Sequence, residues 1–108
     1  MVKNSIKPTY DLKDVKQAIM DGRVLLRGRP KNLATLKNMG LTIKDAKEEL
    51  LRLRPSHFHD ISPLPNKCWA DIYKKTISGT KIYIKFIIDE KNDLVIISFH
   101  KDEKRLAL

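Results

Sequence analysis

A single cysteine, Cys68, leaves the chain without a partner for an internal disulfide and without the thiolates for a cysteine-based zinc cluster. An intracellular, reducing compartment, the cytoplasm, is the expected location. Glycine and proline are sparse, at four and five of 108 residues, which excludes a collagenous chain, and a 42% hydrophobic share excludes a disordered one. No long apolar run is present, so no membrane span and no membrane partner are expected. Met1 to Tyr10 is polar and lacks the apolar core of a secretory signal, and Leu106 to Leu108 is too short to anchor anything. Acidic residues are also in deficit: 13 Asp and Glu face 22 Lys and Arg, for a net charge of +9. Such a molecule attracts polyanions through a field that salt weakens, so nucleic acid or an acidic protein is the natural partner.

What is present reads as one α+β domain over residues 1–108, with N-terminal helices packed on a C-terminal antiparallel sheet. The helical part spans about 11–54, an irregular loop about 55–67, the sheet about 68–100, and a charged tail 101–108. Asp11 precedes a helical recurrence of Leu12, Val15 and Ile19, with Gly22 just past its end. Residues 23–27 fit either a short strand or an extended link. From Pro30, the residues Leu33, Leu36 and Met39 mark one helical face, and Gly40 provides a left-handed stop. Thr42 with Asp45 resembles a capping box, and Ile43, Ala46, Leu50 and Leu53 then form a stripe for burial. Three prolines between residues 55 and 65 argue against regular hydrogen bonding there. Strands are expected at Cys68 to Lys75, Lys81 to Ile88 and Leu94 to His100, with turns at Ser78-Gly79 and at residues 90–93.

Alternation carries the chemistry. In the second of these strands Ile82, Ile84, Phe86 and Ile88 fall on one face, and Lys81, Tyr83 and Lys85 on the other. If Val95, Ile97 and Phe99 share the apolar face, then Ile96, Ser98 and His100 lie opposite, with His100 near Lys81 and Ser98 near Tyr83. A face of lysine, tyrosine, serine and histidine suits metal-free cleavage of RNA, which needs a base for the 2′-hydroxyl, cations for the phosphorane charge and an acid for the 5′-oxygen. An imidazole at His100 can move protons near neutrality. Tyr83 can donate to phosphate, stack on a base or, if Lys81 and Lys85 depress its pKa, act as acid or base. Lys81, Lys85, Ser98 and Lys101 are the candidate substrate-binding residues, and no cofactor is called for.

Spacing alone leaves other readings open. The same face is equally a solvated side of a half-exposed sheet. His57 and His59 flank Phe58, with His59 the better candidate for a second acid or base because Asp60 follows it. His57, His59 and Cys68 lack a recognised zinc spacing, so no metal site is expected. Trp69 and Tyr73 share a face, with core packing the expected role of the tryptophan.

Residues 10–103 resemble the MqsR family of toxins from type II toxin-antitoxin systems, a branch of the RelE-like ribonucleases. The resemblance rests on Tyr10 to Lys16 through Gly22-Arg23-Val24, on Trp69-Ala70-Asp71-Ile72-Tyr73, on Gly79, on Ile82-Tyr83-Ile84-Lys85, and on Val95 to His100. It implies a RelE-like fold and an mRNA interferase: a metal-independent endoribonuclease acting on mRNA. The implied partners are mRNA, a cognate antitoxin protein and, if cutting requires it, the ribosome. It places the family's sheet tyrosine on Tyr83 and a basic site residue on His100, where better-known members have lysine. Their loop lysine aligns with His59 or Asp60, and their glutamine after the strand tryptophan is Ala70. Two readings from other classes stand beside this one: a non-catalytic module binding nucleic acid or an acidic partner, and a regulatory subunit matched to an acidic protein.

Overall fold

The computed structural model describes residues 6–103. Helix α1 (Leu12–Met20) starts where the Asp11 side chain accepts the Lys13 N–H, and buries Val15, Ala18 and Ile19. The turn after it needs a positive φ, which Gly22 supplies at 76°. Strand β1 (Val24–Leu26) follows, so the helical half is interrupted by a strand. Helix α2 (Pro30–Met39) has proline in its first turn and stops at Gly40, left-handed at φ 66°. Helix α3 (Ile43–Leu51) opens with a complete capping box: the Thr42 hydroxyl accepts the Asp45 N–H, and the Asp45 carboxylate accepts the Thr42 N–H.

The remaining elements are a 3₁₀ turn (Pro55–His57) and strands β2 (Phe58–Pro63), β3 (Trp69–Ile77), β4 (Thr80–Ile88) and β5 (Leu94–Lys101). The sheet order is β1-β5-β4-β3-β2, antiparallel except for β1, which pairs parallel to β5. Helices α1, α2 and α3 share one core with one face of this sheet, where Leu36, Leu50 and Val15 meet Tyr73, Ile84, Phe86, Leu94 and Phe99. The architecture is α+β, consistent with a RelE-like toxin.

Several local expectations require correction. The segment 55–67 is not wholly irregular, because its prolines sit where they cost nothing: Pro55 opens the turn and Pro63 ends β2, leaving a strand between them. The sheet is mixed, since β1 joins it in parallel. Leu33 and Ile43 are half exposed, at 50% and 49%, and α2 instead buries Asn32, Thr35 and Leu36. Trp69 is 45% exposed rather than core, while Tyr73 is fully buried between Phe58 and Phe86.

The most consequential correction is a β-bulge between β4 and β5. Tyr83 lies opposite His100, Ile84 opposite Phe99 and Lys85 opposite Ser98, but Phe86 lies opposite Ile96, which makes Ile97 an extra residue. The helix-facing set is therefore Leu94, Ile96 and Phe99, not Val95, Ile97 and Phe99. Ser98 and His100 keep the opposite face, but His100 stands across from Tyr83 instead of Lys81, and Ser98 from Lys85 instead of Tyr83. Asn32 of α2 holds this bulge. Its fully buried amide donates to the Ile97 and Arg27 carbonyls at 3.0 and 2.9 Å and accepts the Phe99 N–H at 2.9 Å. Beyond the end of β1, a helix side chain thus replaces a strand as partner of β5.

Candidate active site

The core takes Tyr73, Ile82, Ile84, Phe86 and Phe99 from β3, β4 and β5, so alternation sends Lys74, Tyr83, Lys85, Ser98 and His100 to the face without helices. Two cross-strand rows follow. One reads Lys74, Tyr83, His100, and the next reads Asp60, Ile72, Lys85, Ser98.

At the centre of the first row the Tyr83 and His100 rings stack, with centroids 5.3 Å apart and planes 16° from parallel. His100 Nδ1 lies 3.0 Å from the Lys101 carbonyl oxygen. A carbonyl only accepts, so this contact places a proton on Nδ1 and leaves Nε2 of the neutral ring as the acceptor. Burial pushes the Tyr83 phenol above its ordinary pKa, and the carboxylates of Asp102 and Asp60 add to the shift. The role for Tyr83 that depended on Lys81 and Lys85 lowering its pKa is therefore not favoured, because the shift is upward. Tyr83 is a protonated donor throughout the neutral range.

Asp102 is held beside this row by the Lys74 ammonium at 3.2 Å, and its N–H donates to the Lys81 carbonyl at 2.8 Å. Lys81 is exposed on the same face. In the second row Ser98 is only 3% exposed, and its hydroxyl oxygen accepts from the Arg29 guanidinium at 3.4 Å. Sequence reasoning missed Arg29, Asn32 and Lys74. The run Arg23, Arg27, Arg29 was the available signal for the first, but only the end of β1 and the start of α2 bring it over β5.

Other candidates lie elsewhere. Lys101 stands opposite Ile82, which directs it to the helix side of the sheet, away from Tyr83. His59 is the extra residue of a second bulge in β2, two strands from Tyr83, or about 10 Å at ordinary strand spacing. Asp60 is the β2 residue whose charge reaches Tyr83. His57 Nδ1 accepts the Arg54 N–H at 2.9 Å and so closes the 3₁₀ turn. Its pKa is lowered by burial and by the charges of Lys75 and Arg54. Among the described residues no three His, Cys, Asp or Glu side chains are grouped as a metal site. A cavity of about 650 Å³ is lined by Asp11, Asp14 and Asp89 along with Arg23 and Lys91. Its acidic lining is poorly matched to a phosphate backbone, unlike the Tyr83 face.

Residues 7–101 match the family described as the motility quorum-sensing regulator, toxin of MqsA. The chain belongs to the MqsR toxin family. That span contains every described strand and helix, so the match concerns the whole fold and not one block of it. The toxin is accordingly a component of a toxin-antitoxin system, with an MqsA-type antitoxin as cognate partner. No curated protein matches the sequence. No helix of the described toxin is long and apolar enough to cross a membrane.

Proposed function

We propose that the toxin is a metal-independent endoribonuclease that cleaves mRNA in the cytoplasm through attack of a 2′-hydroxyl on the adjacent phosphate. The observation that carries this reading is the Tyr83–His100 stack, with the His100 Nε2 lone pair free and Tyr83 kept protonated, on a sheet face flanked by Lys81, Lys85 and Arg29.

The chemistry balances with these two residues. Nε2 of His100 takes the proton of the 2′-hydroxyl while the 2′-oxygen bonds to phosphorus. The bond from phosphorus to the 5′-oxygen breaks, and that oxygen, a far stronger base than a phenolate, takes the Tyr83 proton. Exchange with solvent returns both side chains to their starting states. Lys81 offsets the charge that gathers on the phosphorane oxygens, where a positioned donor is worth about 3 kcal/mol, while Lys85 and Arg29 hold the substrate beside the reacting phosphate. His59 keeps a subordinate place in the proposal, as a contact to RNA running out across β2. Its two-strand separation makes it a poor partner for proton transfer at the phosphate that His100 engages.

Purified toxin incubated with RNA and EDTA is expected to give fragments ending in a 2′,3′-cyclic phosphate and beginning with a 5′-hydroxyl. RNA left intact both with and without ribosomes, or cleavage lost on chelation, would overturn the reading. Retained RNA binding with no turnover in either condition would instead establish a non-catalytic module.

A further inference from the structure

The second polar row has features that the cleavage step does not use. Ser98 is almost fully buried, yet its single hydrogen bond comes from Arg29, which can only donate. The serine oxygen is thereby occupied as an acceptor, and its own O–H is left to donate to something else. Lys85 stands directly opposite Ser98, within cross-strand reach. Three donor groups, two of them cationic, therefore adjoin in this row, and among the described residues neither cation is paired with a carboxylate. They lie two residues along β4 and β5 from the Tyr83–His100 pair, about 7 Å at the rise of a strand. That offset is of the order of the spacing between neighbouring phosphates in an extended single strand. The bulge at Ile97 aims Ser98 at this spot, and Asn32 locks the start of α2, and with it Arg29, over the same stretch of β5.

We infer that Arg29, Ser98 and Lys85 form a second phosphate subsite, which grips the nucleotide linkage next to the one being cut. This rests on the ribonuclease reading above and adds a substrate requirement to it: an efficient substrate carries at least two consecutive phosphates. Arg29 is the specificity element because its planar fork matches a phosphate bidentately, which lysine cannot do.

The test starts from a cut site mapped with the wild-type toxin, so that failure of the ribonuclease reading shows at once as an absence of cuts. Oligoribonucleotides spanning that site are then made with an uncharged methylphosphonate at the linkage on one side of the cut or the other. For wild type, one of the two substitutions is expected to raise KM about tenfold or more with little change in kcat. Arg29→Ala is expected to do the same on the unmodified oligonucleotide, and to add nothing on the modified one. In binding to a 2′-deoxy analogue that cannot be cut, Arg29→Ala should lower the slope of log K against log salt by about 0.7, the value for one phosphate contact on a single strand. Arg29→Lys should restore the slope but not the full KM. Thermal unfolding of each variant separates a binding defect from a folding defect. Arg29→Ala with wild-type KM on every substrate, or additive effects of variant and methylphosphonate, would overturn the subsite while leaving the nuclease intact.

Discussion

Tyr83 is partly buried and set near Asp102 and Asp60, and each of these influences favours its neutral form. Its role as donor should therefore persist to high pH. Any alkaline loss of cleavage caused by its ionisation is expected above the ordinary phenol range of about 10. Tyr83→Phe is expected to lower kcat while leaving the acid side of the pH profile in place, whereas His100→Ala removes the base and lowers kcat by about 10² to 10⁴. A pH–rate series on the three proteins checks both; full activity in either variant would remove that residue from the mechanism. Asn32 belongs to the same scale but acts through the backbone. Asn32→Ala strips a partner from the Arg27 and Ile97 carbonyls and from the Phe99 N–H, and should cost about 2 to 4 kcal/mol in urea unfolding. The surviving folded protein is expected to cleave more slowly as well, since the bulge that aims Ser98 loses its clamp.

Among the elements, α3 depends most visibly on a local device. Removal of the Thr42 hydroxyl by Thr42→Ala should destabilise the fold by about 1 kcal/mol in thermal or urea unfolding. Asp45 is held below the usual carboxylate pKa by its bonds to the Thr42 backbone and side chain. Its contribution is thus complete above the unfolded-state pKa and is lost as pH falls through the lowered folded value. Asp45→Asn should flatten the acid limb of stability against pH, and an unchanged limb would show that the box contributes nothing. His57 has the same sign in a higher window. Its lowered folded pKa favours the neutral ring that accepts the Arg54 N–H, so its contribution wanes as pH falls below the ordinary imidazole range. Elements of this kind were legible beforehand: the Asp11 cap, the capping box, the Gly40 stop and the β3, β4 and β5 strands each follow from local rules. The bulge was not. Residues 94–97 are Leu, Val, Ile and Ile, so hydrophobicity cannot say which of them faces the helices, and the slip is set by Asn32, 65 residues from Ile97. Strand β2 was hidden for a related reason: proline reads as a breaker unless it is known to fall at a strand's end. The candidate site was correspondingly half legible. Tyr83 and His100 emerge from alternation alone, while Arg29 and Lys74 depend on which strands lie side by side.

At the scale of the whole molecule, the described helices and sheet share one hydrophobic core, and we propose on that basis that they fold as a single domain. A single cooperative unfolding transition, coincident by far-ultraviolet dichroism and by the fluorescence of half-exposed Trp69, is the expected result, and separated transitions would contradict it. The net charge of +9 raises a different question: whether RNA feels the entire surface or one face of it. The two cases differ in salt dependence. Binding through Lys81, Lys85 and Arg29 neutralises about three phosphates, for a slope of log K against log salt near −2. Engagement of as many phosphates as the toxin has excess charges would give about −6. Lys74 contributes little in the first case because Asp102 already balances it. Titrating an uncleavable single strand over a range of salt concentrations should therefore give the shallower slope, with Lys81→Ala and Lys85→Ala each lowering it by about the same step. A slope near −6 that neither substitution moves would mean that the general field of the molecule holds the RNA, and that the Tyr83 face is not where it docks.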